Sequence, residues 1–164
     1  ALVTVAAEVG QGADTVEPEN IVKMWSRMWG RSRSNAVWLI NQDVEPQLFT
    51  MALNVGTGGV PVYMPANGLS AAPYATLMGR PVIPCEQCGT VGDVGDILLV
   101  DLSQYIWIDK GGIDSASSIH VQFLYNETVF RFIYRADGQP AWNSALTPFQ
   151  SSNTLSPFVA LAAR

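Results

Sequence analysis

Residues Asp96–Ile108 read DILLVDLSQYIWI, and Ser118–Tyr125 (SIHVQFLY) and Thr128–Arg135 (TVFRFIYR) repeat the same texture. Val, Ile, Phe, Tyr and Trp dominate all three, and Gly, Asp and Ser separate them, so each predicts a strand. Working back towards the N-terminus, RPVIP (Arg80–Pro84) has the look of a strand edge, and AVWLI (Ala36–Ile40) is a short apolar run of buried-strand type. Asn41 or Asp43 can then cap a helix through VEPQLFTMAL (Val44–Leu53). Further back still, EPENIVKMWSRMWG (Glu17–Gly30) opens with Pro18 and an acidic first turn. It places Ile21, Met24, Trp25, Met28 and Trp29 at helical spacing, with Gly30 as the stop. That apolar stripe is expected to be core. Helices early and strands late make an α+β protein, not an alternation of βαβ units.

The chain has 164 residues, a length suited to one domain with one sizeable core. Nothing at its start resembles a signal peptide, and the absence of an initiator Met suggests a fragment or processed product of cytoplasmic origin. Charged residues make up 14% of it, well below the roughly 25% of an ordinary soluble domain, and the net charge is -5. Pro46 to Gly79 holds no Asp, Glu, Lys or Arg, and neither does Gly138 to Ala163. Neither stretch is a membrane span, because prolines and glycines break the first too often. An uncharged loop carrying Gly58, Gly59, Val60, Tyr63, Met64, Asn67 and Leu69 fits a surface covered by another protein chain, since interface cores lose charge and gain aromatics and Met. The bland alternative is a weakly polar loop with no partner. Nucleic acid is not expected as a direct partner. The only basic cluster, RMWGRSR (Arg27–Arg33), suits a cationic helix end.

Catalytic and metal chemistry lacks its parts. Cys85 and Cys88 form a C-x-x-C pair, but His120 is the single histidine, so four zinc ligands cannot be assembled. A redox dithiol favours a helix N-terminus for its first cysteine, whereas RPVIP leads in as a strand and Gly-rich sequence follows. His120 lies in an alternating strand run, and no G-x-S-x-G or G-x-x-x-x-G-K motif occurs. Asp93, Asp96, Asp101, Asp109 and Asp114 sit in turn-like sequence with no helical pairing, so turn chemistry accounts for them. No catalytic, cofactor-binding or metal-binding residue is expected.

The order VWLIN, helix, Gly-rich loop, LMGRPVIP, GDILLVDLSQYIWID and FLYNETVFRFIYRADGQPAW resembles the major capsid proteins of tailed bacteriophages with the Hong Kong 97-type fold. The resemblance spans nearly the whole chain. Its most specific pieces are Gly79–Val82, Gly95–Tyr105 and Phe130–Pro140. It implies a mixed β-sheet flanked by helices, with an axial domain at about 12–125 and peripheral-domain strands at about 1–11 and 126–164. The N-terminal arm, hairpin loop and spine helix that such subunits usually carry are not in this sequence, which therefore resembles the C-terminal half. The implied function is a self-assembling head subunit. Its partners are copies of itself in pentamers and hexamers, packaged DNA is met only indirectly, and no membrane is involved. The implied location is the virion, after synthesis in the bacterial cytoplasm. Two other readings stay open: an encapsulin-like compartment shell, and a thiol-redox or small-ligand domain using Cys85 and Cys88.

Overall fold

The computed structural model describes residues 1–55, 58–61, 63 and 76–164. They fall into two compact units. One comprises Ala1–Gln104 with Trp142–Arg164, and the other Tyr105–Ala141.

The first unit is built on a six-stranded mixed sheet. Its strands are β1 (Val3–Val5), β2 (Val37–Ile40), β5 (Thr76–Leu77), β6 (Arg80–Pro84), β7 (Ile97–Val100) and β12 (Phe158–Leu161), in the order β1-β12-β7-β2-β6-β5. β7 and β12 lie inside the sheet and are apolar throughout, as strands covered on both faces must be. β2 runs antiparallel to β7 and parallel to β6, pairing Trp38 with Leu99 on one side and Val82 on the other. Trp38 is fully buried, and its indole N–H donates to the Leu77 carbonyl at 2.9 Å, so the large ring leaves no polar group unmet.

Helix α1 (Pro18–Arg27) starts as its sequence predicts, with Pro18 in the first turn and the Glu17 N–H donating to the Asn20 side chain at 2.9 Å. Ile21, Met24 and Met28 are buried in the core, while Trp25 only leans against it. The helix ends at Arg27, before Gly30. Met28 turns to extended backbone and bridges Ser156, although its N–H still reaches the Met24 carbonyl. Helix α2 (Glu45–Thr50) follows a short 3-10 turn opened by Asn41, whose side chain accepts from the Asp43 N–H at 3.0 Å. Beyond it, β3 (Ala52–Val55) and β4 (Gly58–Pro61) form an antiparallel hairpin where the sequence suggested a loop. A side chain at Gly59 would approach the Cβ of Ala52 to 3.1 Å, so glycine lets these strands close.

The second unit holds two antiparallel pairs. β9 (Asp114–Gln122) pairs with β10 (Glu127–Ile133), and β8 (Tyr105–Asp109) pairs with β11 (Ala136–Pro140). Asn126 turns the first pair in the left-handed region at φ 55°, a conformation asparagine tolerates better than most residues.

Candidate functional site

Of the residues proposed for an assembly loop, Gly58, Gly59 and Val60 lie on β4. Met64, Asn67 and Leu69 lie outside the described residues. Tyr63 departs from expectation: it is buried in the core, with its ring centroid 5.5 Å from that of Phe49. A phenol ring buries more area by turning inward than by lining a surface, so Tyr63 anchors this segment to the core.

The second unit offers an apolar surface outside that loop. Strand alternation puts Ser115 and Ser117 on one face of β9, and the register sets Phe132 and Phe130 opposite them; Ile119 and Val121 follow where the register with β10 shifts. That face carries no charge. Ile119, Val121, Phe130 and Phe132 are 56%, 69%, 67% and 69% exposed. Asp114 and Arg131 share the opposite face. Monomers rarely leave contiguous apolar patches beyond a few hundred Å², and a two-stranded hairpin is marginal alone in water. The alternation was visible in the sequence; that both faces lie open was not.

The cysteines form a turn after β6, in which the Cys88 N–H donates to the Cys85 carbonyl at 3.2 Å. Both are free thiols and half-buried. Burial, followed by the neighbouring Cys85, pushes the Cys88 thiol up to about 11. Such a thiol is almost wholly protonated at neutral pH, and the thiolate, not the thiol, is the nucleophile. Among the described residues, no three His, Cys, Asp or Glu side chains gather as metal ligands. No helix there is long and apolar enough to cross a membrane. His120 is exposed on β9.

Turn chemistry holds for Asp93, which accepts from the Thr90 hydroxyl, and for Asp101, which accepts from Ser103. It is only part of the account for Asp96, which accepts from the Gly92 N–H. This carboxylate is fully buried and paired with Arg164, a contact that no local pattern announces.

The model of the phage capsid family matches residues 1–151. The chain belongs to the phage capsid family. No curated protein sequence matches it significantly. Among solved structures, this capsid-family chain is similar to the capsid of an empty GTA particle, computed with C5 symmetry, at 16% identity and a TM-score of 0.70. It is similar also to the capsid of a native GTA particle, again computed with C5 symmetry, at 16% identity and a TM-score of 0.69. Both alignments cover 100% of this chain, which spans about half of each neighbour's length, 51% and 50%. The shared fold is the capsid fold, in agreement with the α+β, mixed-sheet expectation.

Proposed function

We propose that this chain is part of a major capsid subunit that self-assembles into pentamers and hexamers of an icosahedral phage shell enclosing DNA. Its role is structural, not catalytic. The observation that carries this reading is the uncharged, aromatic face of the β9/β10 hairpin, which is left open to solvent in the single chain and suits burial in a larger assembly. Family membership supports it. Within such a subunit the chain corresponds to the C-terminal half, mainly axial domain at about 12–125 with peripheral strands at about 1–11 and 126–164. The location is the phage head, reached after synthesis of the subunit in the bacterial cytoplasm, and DNA contact is indirect.

The uncharged segment around β4 is read as a second self-assembly surface close to a symmetry axis. Copies meeting at an axis repeat any like charge at short range, and a neutral segment avoids that repulsion. Met64→Asp in the full-length protein therefore keeps subunit melting close to wild type while reducing capsomer formation, most of all at low salt. Electron microscopy of the full-length wild-type protein tests the main reading. Closed shells are expected, and a protein that stays monomeric at every salt overturns it.

A further inference from the structure

The charges of the first unit are sorted along the strand direction. Arg31 and Arg33 lie in the turn just before β2. Arg80 opens β6, which runs parallel to β2, and its guanidinium donates to the Ser34 carbonyl of that turn. Arg27 ends α1 at the same side, donating to the Thr154 hydroxyl at 2.6 Å. At the far ends of the same two strands stand carboxylates. Asp43 and Glu45 follow β2, and Glu86 follows β6 in the turn whose Cys85 N–H donates to the Ile40 carbonyl at 2.7 Å. Asp93 precedes β7, which runs antiparallel to β2 and so starts at this end.

None of these eight side chains is in an ion pair; among the described residues the pairs are Lys23 with Glu8 and Arg164 with Asp96. Arg31, Asp43, Glu86 and Asp93 are exposed. At the arginine end, Asp101 is buried and occupied by Ser103. At the carboxylate end, Arg164 is buried and neutralised by Asp96. Helix dipoles account for Arg27 at a helix C-terminus, but not for Arg31, Arg80, Glu86 or Asp93 at sheet ends, where net dipoles are small. The two ends are separated by a strand of four residues and its flanks, roughly 20 Å at about 3.3 Å per residue. A Debye length of about 8 Å at physiological salt screens them from each other within one chain.

We propose that the arginine end of one copy docks against the carboxylate end of the next copy, so that subunits join head to tail. A heterologous contact of this kind closes into a ring when its rotation permits. The inference rests on the shell reading above and names the contact within it. A second copy fits better than DNA. The chain is acidic overall at -5, three of the four arginines are half-buried or committed to carbonyls, and the complementary surface is already present on the same molecule.

The test uses the full-length protein as wild type, Arg31→Glu, Glu86→Arg and the charge-swapped double variant, followed by sedimentation velocity at about 50 mM and about 500 mM salt. Each single variant is expected to raise the half-assembly concentration roughly tenfold at low salt, with melting unchanged, and the double variant to recover assembly. Wild-type assembly is expected to weaken at high salt. Singles that assemble like wild type, or a double variant worse than either single, overturn the contact while leaving the shell reading in place. So does Arg31→Glu that assembles normally but no longer binds a fluorescent DNA duplex, because the arginines then serve nucleic acid. A wild type that never assembles overturns the shell reading, and this contact with it.

Discussion

Asp96 and Arg164, 68 residues apart, meet as a two-pronged ion pair with contacts of 3.1 and 2.5 Å, and both side chains are closed to solvent. The pair ties three stretches together. The Asp96 carboxylate also accepts from the Gly92 N–H at 3.1 Å, the Arg164 N–H donates to the Gly92 carbonyl at 2.9 Å, and the Arg164 Nε donates to the Thr15 carbonyl. Removing one partner leaves the other charged and buried. Asp96→Asn is therefore expected to cost about 3 to 5 kcal/mol in urea unfolding, and a double change to apolar residues of similar volume to recover much of that loss. A single variant as stable as wild type would show that the site takes up water when the pair is broken.

Helix α1 separates two residues that its periodicity ranks alike. Met24 is fully buried, so Met24→Ala should lose about 2 to 5 kcal/mol. Trp25 is half-buried, with the Arg33 guanidinium 5.3 Å from its ring centroid, and Trp25→Ala should lose only about 1 to 2 kcal/mol. Denaturant titration of both variants checks the order, and a larger loss at Trp25 would contradict it.

Gly138 on β11 lies under two aromatic rings of β8. A Cβ placed there would stand 2.6 Å from Tyr105 Cε1 and 3.1 Å from Trp107 Cε3. Gly138→Ala must displace both rings, and is expected to destabilise this hairpin by about 1 to 3 kcal/mol. Near-ultraviolet circular dichroism would register the loss of aromatic order, and an unchanged spectrum would count against the packing described.

The Cys88 thiol makes an alkaline prediction. Its value in the folded chain is raised from 9.0 to about 11. Between those values the unfolded chain releases a proton that the folded chain keeps, so stability falls as pH rises from about 9 towards about 11. Cys88→Ser should remove that slope. At neutral pH the double change of Cys85 and Cys88 to Ser should alter stability by no more than about 1 kcal/mol. Bound zinc lost in the double variant, or failed assembly, would reverse this reading of the pair.

The sequence by itself determined the local elements and the class. Strands at Val37–Ile40 and Arg80–Pro84, the apolar stripe of α1 and the Asn41 cap were legible because each depends on side-chain period or on one residue's own hydrogen bond, whereas the run expected as one strand at Asp96–Ile108 breaks at the Leu102–Gln104 turn into β7 and β8. The helix end was misjudged at Gly30 because Met28 is drawn off by Ser156, far away in the chain. Only tertiary structure decided that Asp96 is an ion-pair partner as well as a turn residue, that Tyr63 turns inward, and that the Phe130 face lies open. The same holds for the sorted charges. Parallel pairing of β2 with β6 brings Arg80 to Ser34 and sends Glu86 to the end that carries Asp43. Strand pairing joins residues with no shared local signal, so its direction, and every charge it aligns, is set by which surfaces can be buried together.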